Sequence, residues 1–437
     1  MRINEERLEM RMKRINSIAV TEDAGMMRLA LSDADREGRD LIVLWLKEAG
    51  MEVKIDDMGT VYGILKGTEP GAKPICVGSH ADTQPNGGKY DGLFGVMAGL
   101  EAMVSIKESG KMLKSDIILA DWTNEEGARF VPPMLASGVV SGKFDAQWVY
   151  DKEDVNGLRY EDELMRIGYK GEKENRLKDV KAYFEPHIEQ GPVLDAQGKN
   201  FGVVTGALGI TGLDITIKGE ANHAGTTPMS HRKDPMAAAA EAISAIRKNC
   251  VDFGEPAVLT VGIINALPAS KNIIPGEVYF SIDLRYHTDE GMSELENQTR
   301  KIIMDICGRY NVEVDIQRYW RADPTHFNDV ITACVEEAAR ENNMDYIRII
   351  SGAGHDAVFI NEVMPAGMLF VPSIKGMSHC PQEETDWEDI VKGTEITADV
   401  LLKRVEPGDA LLVKASRGMA LEKVLELFYA EQKDAEE

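Results

Sequence analysis

Apolar and polar residues along the first 122 positions follow a pattern that predicts a sheet with helices between its strands. Four short β-rich runs, separated by turn residues, read EVKIDD, TVYGILKG, PICVGSH and SDIILADW. A helix precedes them, capped by Ser32 with Asp35 returning the capping-box contact, and an apolar helix, GLFGVMAGLEAMVSIKESG, lies between the last two. Strands that are apolar almost throughout belong to sheets covered on both faces, so the pattern predicts an α/β domain.

A second pattern begins near residue 213 and predicts a separate unit. Runs typical of strands and helices follow in the order β-α-β-β-α-β, from LDITIKGE to VEVDIQRYW, which is the order of a ferredoxin-like unit. The earlier pattern then resumes with a helix, DVITACVEEAARENN, and two strands, YIRIIS and AGMLFVP. The sequence therefore predicts an α/β domain formed by residues 1–212 and 329–437, with an α+β unit, residues 213–328, inserted into it.

The composition is that of an acidic globular protein. The chain has 437 residues, of which 43% are hydrophobic, and its 49 Lys and Arg against 73 Asp and Glu give a formal charge of −24. The apolar content supports folded cores and excludes disorder as the main state. Since a negative charge repels phosphate backbones and anionic lipid headgroups, and no basic patch interrupts it, we expect neither nucleic acid nor a membrane surface as a partner.

Targeting signals and cysteine usage predict a cytoplasmic protein. The N-terminal segment lacks the uninterrupted apolar stretch of a signal peptide, and no segment approaches the roughly 18 apolar residues of a membrane span. The five cysteines are far apart and form no CxxC pair. Free thiols are therefore expected rather than a disulfide framework or a zinc ribbon.

Polar side chains follow two of the apolar strands, where a sheet does not need them. PICVG runs into His80 and Asp82, with Asp91 a little further on, and IILADW runs into Glu125 and Glu126. Ligand sites in such sheets lie at the carboxyl ends of strands. Neighbouring glutamates point in different directions, so that one can bind a metal while the other faces a substrate. Taken singly, the two windows also fit an Asp-rich turn and an exposed glutamate pair.

Two further histidines follow predicted strands and complete a pattern typical of metal-dependent hydrolases. His187 lies in FEPHIEQGPVLD and His379 lies in VPSIKGMSHCPQEET. Three histidines with two or three carboxylates form the ligand set of a two-metal hydrolytic site. The alternative is a chance group of hydrogen-bonded polar residues.

Seven segments resemble, in order and in approximate spacing, the hydantoinase/carbamoylase group of the M20 peptidase-like superfamily. They are GSHADTQPNGGKYDGLFGVMAGLE, WTNEEGARF, EPHIEQGPVLD, GEANHAGTTPMSHRKDP, NIIPGEVYFSIDLR, SGAGHDA and GMSHCPQEET. The group includes N-carbamoyl-L-amino acid hydrolases, β-ureidopropionases and allantoate amidohydrolases. The resemblance covers nearly the whole chain. It implies a dinuclear-metal catalytic α/β domain with a mixed central sheet, in which the inserted residues 213–328 form a lid and dimerisation domain.

The resemblance also implies two divalent metal ions per subunit. Asp91 would bridge them, with His80 and His187 completing one site and Glu126 and His379 completing the other. Imidazole and carboxylate ligands accept Zn, Mn, Co or Ni, and the sequence does not choose among these metals.

Catalytic roles implied by the family fall on three residues. Glu125 would be the general base. Asp82 would accept the ring N–H of His80 and so fix its tautomer. His223 would stabilise the developing oxyanion from the lid, and in relatives this histidine can come from the other subunit of a dimer. Alternatively, His223 caps a turn.

Substrate-binding roles fall on Arg285 and Asn272, which match positions that hold the carboxylate of the substrate. A guanidinium suits a carboxylate because two parallel N–H groups meet two oxygens. The alternative for Arg285 is a pair with a surface acid. Gln190 and the backbone at Gly352 and Gly354 would line the same pocket.

Three positions depart from the family pattern, and none of them removes a metal ligand. TGALGITGLDITIKG lacks the Gln and the aromatic residue that many relatives carry, Pro186 stands where Leu is usual, and Cys380 follows the ligand histidine. The first departure bears on the shape of the side-chain pocket.

The resemblance implies hydrolysis of N-carbamoyl-L-amino acids to the amino acid, carbon dioxide and ammonia, in a homodimer formed through the lid. β-Ureidopropionase and allantoate amidohydrolase activities are the alternatives within the group. A non-catalytic small-molecule-binding protein is the alternative outside it. An aminopeptidase is disfavoured, because His187 replaces the carboxylate ligand of the aminoacylase and dipeptidase branches and because Arg285 suits a carboxylate.

Overall fold

Twelve α-helices and sixteen β-strands form within residues 1–405, which are the residues that the computed structural model describes. The end of the predicted segment 329–437 lies outside them. The helices are α1 (Glu5–Ile15), α2 (Asp33–Glu48), α3 (Leu93–Glu108), α4 (Leu135–Ser141), α5 (Ala146–Tyr150), α6 (Tyr160–Arg166), α7 (Val193–Ala196), α8 (Pro235–Phe253), α9 (Asp289–Tyr310), α10 (Asp329–Glu341), α11 (Asp356–Ile360) and α12 (Trp387–Val405). The strands are β1 (Glu52–Ile55), β2 (Val61–Leu65), β3 (Ile75–His80), β4 (Ile117–Trp122), β5 (Ala182–Ile188), β6 (Phe201–Ala207), β7 (Gly209–Lys218), β8 (Asn222–His223), β9 (Val258–Thr260), β10 (Ile264–Leu267), β11 (Ile273–Ile274), β12 (Glu277–Tyr286), β13 (Glu313–Ala322), β14 (Thr325–His326), β15 (Tyr346–Ser351) and β16 (Ala366–Val371).

Nine strands form one mixed sheet, in the order β1-β2-β4-β3-β5-β16-β6-β14, with β15 also pairing with β6. Strands β4, β3, β5 and β16 run parallel to one another. Strand β2 joins β4, and β6 joins β16, in antiparallel pairs. The predicted α/β fold with a mixed central sheet is confirmed. Because β3, β4 and β5 are parallel neighbours, their carboxyl ends meet at one edge of the sheet.

Helix α3 shows how the sequence covers this sheet. Every residue from Leu93 to Ile106 is buried, since a helix that is apolar all round belongs in the interior. It packs against β3, β4 and β5 and against α1 and α12, while α11 contacts β5, β16 and α4. The central strands β2, β3, β5 and β16 are buried along their whole length. The sheet is therefore covered on both faces, as its apolar strands predict.

The helix predicted after Ser32 forms as α2, and its cap is confirmed. Ser32 Oγ accepts a hydrogen bond from the backbone N–H of Asp35 at 3.2 Å. The return contact differs from the prediction, because the Asp35 carboxylate accepts from the backbone N–H of Leu31 at 2.7 Å and pairs with Arg39 Nε at 2.9 Å. Asp35 therefore stabilises a buried arginine, which needs an acidic partner.

A second, antiparallel sheet has a core of its own. Its strands follow the order β10-β12-β7-β13, and β9 also pairs with β12. Helices α8 and α9 pack against each other and against β7 and β12. The buried side chains of this unit form a hydrophobic cluster separate from that of the nine-stranded sheet. The element order agrees with the β-α-β-β-α-β pattern, with the third run divided into β9 and β10, whereas the boundaries 213–328 and the lid role stay predictions.

The described residues contain neither a membrane-spanning helix nor a disulfide bond. No helix within residues 1–405 has both the length and the apolar character that crossing a membrane requires. None of the five cysteines, all of which lie within residues 1–405, forms a disulfide bond, in agreement with the thiols that the sequence predicts. The cytoplasmic location stays a prediction.

Candidate metal centre and active site

The carboxyl ends of β3, β4 and β5 border a cavity of about 210 Å3. His80 is the last residue of β3, Glu125 and Glu126 follow β4, and His187 lies near the end of β5. The other lining residues come from loops and from the second sheet: Gln84, Asp91, Pro133, Met134, Gln190, Arg285, Ala353, Gly354, His355 and His379. The fold thus brings together all five predicted metal ligands.

Two groups of side chains that could each hold a metal ion share Asp91. His80, Asp91 and His187 form the first group, and Asp91, Glu126 and His379 form the second. In the first, Asp91 Oδ1 lies 3.4 Å from His187 Nε2 and 4.0 Å from His80 Nε2. In the second, His379 Nε2 lies 3.1 Å from Asp91 Oδ2 and 3.5 Å from Glu126 Oε2. One carboxylate therefore stands between two ligand groups, which is the position of a bridging ligand.

Backbone carbonyls orient the two buried histidines. His80 Nδ1 lies 3.0 Å from the carbonyl oxygen of Asp82, and His187 Nδ1 lies 2.9 Å from that of Ile188. Because a carbonyl only accepts, each neutral ring carries its proton on Nδ1 and its lone pair on Nε2. At His187 this lone pair accepts a hydrogen bond from the backbone N–H of Gly92 at 3.2 Å. Burial lowers the pKa of His80 to about 4 and also lowers the pKa of His187. Both rings are thus neutral at pH 7, which is the form that binds a metal.

Asp91 has the properties of a metal ligand. Its Oδ2 accepts a hydrogen bond from Gln190 Nε2 at 2.9 Å and lies 3.2 Å from Ser378 Oγ, whereas the buried Oδ1 has no hydrogen-bond partner within residues 1–405. Burial raises the pKa of this carboxyl, but the hydrogen bond with His379 is the largest of the opposing effects, and the pKa lies below its usual range. An ionised oxygen without a partner, beside two imidazole nitrogens, is a donor set that suits a divalent ion.

A third group of potential ligands lies deeper, and it lacks a free carboxylate. Glu185, His187 and His355 are close enough together to share an ion. However, both Glu185 oxygens already accept hydrogen bonds, from Ser79 Oγ at 2.9 Å and from the backbone N–H of Ala357 at 2.8 Å. The rings of His355 and His187 are in contact, with centroids 4.5 Å apart. His355 therefore packs against His187 and supports its orientation.

Glu125 lines the cavity but belongs to neither ligand group. Its Oε2 lies 3.4 Å from His80 Nε2. Burial raises the pKa of its carboxyl well above the usual range, and the charges of Asp356 and Glu126 raise it further. A carboxyl of raised basicity beside a metal centre has the character of a general base. Glu126 contacts the second ligand group instead, so the two neighbouring side chains diverge as predicted.

Arg285 reaches the same cavity from β12 of the second sheet. Its Nε lies 2.9 Å and its Nη2 3.2 Å from the carboxylate oxygens of Asp283, and its Nη1 donates to the carbonyl of Gly352 at 2.7 Å. Gln190 and Gly354 line the cavity as well. The cavity therefore combines potential metal ligands, a buried carboxyl and a guanidinium.

This combination occurs in a known family of hydrolases. The sequence profile of peptidase family M20/M25/M40 matches residues 76–403, a span that includes both ligand groups. The chain belongs to peptidase family M20/M25/M40. The M20 resemblance found in the sequence is thereby confirmed, and so is the prediction of a hydrolase.

Curated relatives and solved structures agree with membership of the M20 family. The N-carbamoyl-L-amino-acid amidohydrolase of Rhizobium meliloti is 37% identical over 405 residues, which cover 93% of this chain and 97% of the relative. The allantoate amidohydrolase of Bacillus subtilis (strain 168) is 35% identical over 383 residues, which cover 87% of this chain and 93% of the relative. A crystal structure of a hydantoinase/carbamoylase family amidase from Burkholderia multivorans has a TM-score of 0.89 and 38% identity, and covers 93% of this chain and 99% of its own.

Asp82 of this M20 chain makes a contact different from the predicted one. Its carboxylate was expected to accept the ring N–H of His80, but Oδ1 lies 3.7 Å from Nδ1, and the carbonyl of Asp82 accepts that proton instead. The carboxylate oxygens accept from the backbone N–H groups of Glu125 and Glu126, at 3.3 and 3.4 Å. Asp82 therefore orients His80 through its main chain and the two glutamates through its side chain.

Four predicted site residues do not line the cavity of their own chain. Asp82 and Gly352 contact the lining residues Glu125 and Arg285, whereas His223 and Asn272 lie apart from it. His223 is exposed on β8, and Asn272 lies beside it, with its carbonyl accepting the N–H of Ala224 at 3.0 Å. His223 Nδ1 accepts from the backbone N–H groups of Gly225 and Thr226 at 3.0 and 3.2 Å, which is the turn contact of the alternative interpretation. The neutral ring then carries its proton on Nε2, so His223 can still donate a hydrogen bond there.

Sequence reasoning missed three polar residues that hold the predicted ligands. Gln84 Nε2 donates to Glu126 Oε2 at 2.8 Å. Glu383 accepts from the backbone N–H of Asp91 at 3.0 Å, and Ser378 Oγ lies 3.2 Å from the Asp91 carboxylate. All three belong to the motifs DTQPNGG and SHCPQEET, so the resemblance carries a signal for them although ligand spacing does not.

Three residues at or next to predicted site positions adopt a left-handed backbone, which residues other than Gly rarely take. The φ angle is 60° at Asn124, 58° at Gln190 and 56° at His379. Such conformations cost about 1–3 kcal/mol each and persist where the surrounding structure holds them. Each of these residues is a predicted site residue or precedes one, so the unusual turns direct functional side chains.

Proposed function

We propose that this chain hydrolyses the carbamoyl carbon–nitrogen bond of N-carbamoyl-L-amino acids and yields the amino acid, carbon dioxide and ammonia. The observation that carries the proposal is one cavity in which two ligand groups share Asp91 beside Glu125 and Arg285. Four relatives named N-carbamoyl-L-amino-acid amidohydrolase, at 33% to 37% identity, support the same reaction.

Two divalent cations are the proposed cofactors. His80 and His187 would hold one of them and Glu126 and His379 the other, with Asp91 between the two. When bound, the cations would supply Lewis-acid polarisation of the ureido carbonyl and lower the pKa of water. The ligand atoms suit Zn, Mn, Co and Ni alike.

Glu125 is proposed to move the proton that the reaction requires. Water adds to the ureido carbon, and a carboxylate oxygen of Glu125 takes a proton from it. The same oxygen delivers this proton to the terminal nitrogen, which leaves as ammonia when the carbon–nitrogen bond breaks. The carbamate that remains loses carbon dioxide and becomes the amino acid.

Arg285 is proposed to bind the carboxylate of the substrate. Asp283 occupies its Nε and Nη2, while Nη1 donates to the Gly352 carbonyl. A substrate carboxylate can replace that carbonyl at Nη1 while Asp283 keeps the guanidinium in place. Binding of the carboxylate there would set which end of the ureido group faces Glu125.

Replacing Arg285 by Lys should raise KM for N-carbamoyl-L-amino acids about 10- to 100-fold, because hydrogen bonds to a charged group contribute about 1.5–3 kcal/mol. Steady-state kinetics measure this change. Arg321→Lys is the matched control, since Arg321 also pairs through Nε with an aspartate two residues away, Asp323, at 3.0 Å, yet it does not line the cavity. An equal rise in both variants would contradict the proposed contact.

A homodimer formed through residues 213–328 is proposed to complete the site with His223 from the second subunit. His223 is exposed and lies outside the cavity lining of its own chain. Strand β13 is at the edge of the second sheet, and its Tyr319 and Trp320 side chains are exposed. Unpaired strand edges and exposed aromatic residues are typical of interfaces.

Mixing two inactive variants tests this contribution across the dimer. Glu125→Gln and His223→Ala homodimers should each be nearly inactive, whereas re-associated mixtures should regain about a quarter of wild-type activity, because half of the dimers are mixed and each has one intact site. Ammonia release before and after subunit exchange gives the result. Absence of any recovery, with exchange verified by mass spectrometry, would place His223 outside the partner's site.

The substrate class is tested by assaying N-carbamoyl-L-amino acids, N-carbamoyl-β-alanine and allantoate side by side with one metal-loaded preparation. We expect the N-carbamoyl-L-amino acids to give the highest kcat/KM. Allantoate hydrolysis is the second candidate, because the Bacillus subtilis relative with that name is 35% identical. If none of the compounds releases ammonia, the result would favour a non-catalytic binding protein.

A further inference from the structure

Glu383 is a buried carboxylate that joins two distant parts of the metal centre. Its side chain is in the loop before α12 and is 1% exposed. Oε1 accepts from the backbone N–H groups of Tyr90 at 2.8 Å and Asp91 at 3.0 Å. Ser378 Oγ lies 2.9 Å from Oε2 and 3.2 Å from Asp91 Oδ2, so its single proton can be donated to either carboxylate, one at a time. Glu383 therefore contacts Asp91 in two ways. It binds the backbone N–H of Asp91 directly, and it reaches the Asp91 carboxylate indirectly through Ser378.

The chain around Asp91 is shaped to receive this carboxylate. A Cβ atom at Gly88 would lie 2.0 Å from the carboxyl carbon of Glu383, so that only glycine allows so close an approach. Residues 88–91 thus fold tightly against Glu383. A buried carboxylate costs free energy unless hydrogen bonds satisfy it, and here two N–H groups and one hydroxyl do so.

These contacts determine which oxygen of Asp91 remains available. Gln190 donates to Oδ2 and the Ser378 hydroxyl lies 3.2 Å from it, whereas the buried Oδ1 has no hydrogen-bond partner in the described chain and lies 3.4 Å from His187 Nε2. The loop that carries Glu383 also carries His379, a member of the second ligand group. One loop therefore fixes the distance between Asp91 and His379.

We propose that Glu383 is a positioning residue that holds Asp91 in the orientation needed to bridge two cations, with Ser378 as its intermediary. The inference rests on the proposed role of Asp91 as a metal ligand. Glu383 is not itself a ligand in this arrangement, because it belongs to none of the groups of potential ligands and, within residues 1–405, its side chain forms hydrogen bonds with the Asp91 segment and Ser378.

The next residue, Glu384, provides a matched control. Its carboxylate contacts the same short segment, through Lys89 Nζ at 2.6 Å and Tyr90 Oη at 3.2 Å. Its side chain is 45% exposed, however, and it does not contact Asp91. A change at Glu384 perturbs the neighbourhood without removing a hydrogen bond to the ligand.

The experiment compares metal binding by the full-length variants Glu383→Ala, Glu383→Gln, Ser378→Ala and Glu384→Gln. Zn affinity is measured by competition with a chromogenic chelator, and the geometry of the site is followed by the visible absorption of the Co-loaded protein. Glu383→Ala should weaken Zn binding about 10- to 100-fold, as loss of a group that orients a ligand typically does. Its Co spectrum should also change.

Glu383→Gln should remain close to wild type, because its amide oxygen can still accept from both N–H groups and its amide nitrogen can donate to Ser378 Oγ. Ser378→Ala should weaken Zn binding less than Glu383→Ala, and Glu384→Gln should leave it unchanged. If Glu383→Ala fails to fold, the Zn affinities of Ser378→Ala and Glu383→Gln test the proposal instead. Thermal unfolding of the metal-free proteins separates loss of folding from loss of affinity.

Wild-type Zn affinity in Glu383→Ala, or in Ser378→Ala where Glu383→Ala does not fold, would overturn the proposal. So would equal losses in Glu383→Ala and Glu384→Gln, or a Gln variant as weak as the Ala variant. Asp91→Asn measured alongside distinguishes the two levels of inference. If Asp91→Asn keeps wild-type affinity, the proposed metal site fails together with this positioning role; if only the Glu383 variants do so, the positioning role alone fails.

Discussion

Glu125→Gln is expected to lower kcat for N-carbamoyl-L-amino acids by about 10²–10⁴-fold, which is the usual contribution of a general base. The substitution keeps the size and the buried position of the side chain but removes the oxygen that can accept and release a proton. Glu125 belongs to neither ligand group, so the variant should still bind two cations. Ammonia release under saturating substrate measures the loss of turnover, and metal analysis of the same sample measures the metal content.

Glu126→Gln is the matched comparison, because it changes the neighbouring residue in the same way. Glu126 belongs to the second ligand group, 3.5 Å from His379 Nε2, so this variant should lose affinity for one cation. The two variants should therefore separate loss of turnover from loss of metal. Undiminished ammonia release from Glu125→Gln would contradict the proposed base, and loss of metal from both variants equally would place Glu125 among the ligands.

The elements that position the site follow from local sequence patterns. The runs PICVGSH and SDIILADW form β3 and β4, and the polar residues at their ends meet because the strands are parallel neighbours. The Ser32 cap and the apolar helix after Asp91 also form as predicted. In each case the signal lies within a few residues, through apolar periodicity or a capping side chain.

Helices α4, α5 and α6 illustrate what local patterns do not show. They are five to seven residues long, and tertiary contacts contribute to holding this region. Arg129 pairs with Asp154 at 3.0 Å and with Glu163 at 2.6 Å, and the hydroxyl of Tyr160 donates to the carbonyl of Met58. Short helices are marginal without tertiary packing, so their position depends on partners that are distant in sequence.

For the site, too, the sequence identifies the residues but does not show which contacts they make. The spacing of His80 and Asp82 predicts that they cooperate, but it does not tell whether the carbonyl or the carboxylate of Asp82 meets the ring. Glu383 and Glu384 look alike in the sequence, yet one is buried against Asp91 and the other is half-exposed. These differences arise from packing between segments nearly 300 positions apart, for which a single sequence contains no local signal.

Asp91→Asn is expected to lower affinity for both cations, because Asp91 is the residue that the two ligand groups share. The amide keeps the shape of the side chain and can still accept the hydrogen bonds from Gln190 and Ser378 through its oxygen. It loses the negative charge, and with it the oxygen near His187 Nε2 that has no other partner among the described residues. A neutral amide is a weaker ligand than a carboxylate for Zn, Mn, Co and Ni ions.

Metal analysis after dialysis should therefore find about two ions per wild-type chain and fewer than one per Asp91→Asn chain, with Glu126→Gln between them. Thermal unfolding provides an independent measure. Since a ligand that binds only the folded state stabilises it by about 2.7 kcal/mol at a concentration of 100 times Kd, added Zn should raise the Tm of the wild type and have little effect on Asp91→Asn. The metal-free proteins should unfold at similar temperatures, because the hydrogen bonds of Oδ2 are kept. Two ions per chain in Asp91→Asn, with a Zn-dependent rise in Tm equal to that of the wild type, would show that the two ligand groups do not depend on a shared carboxylate.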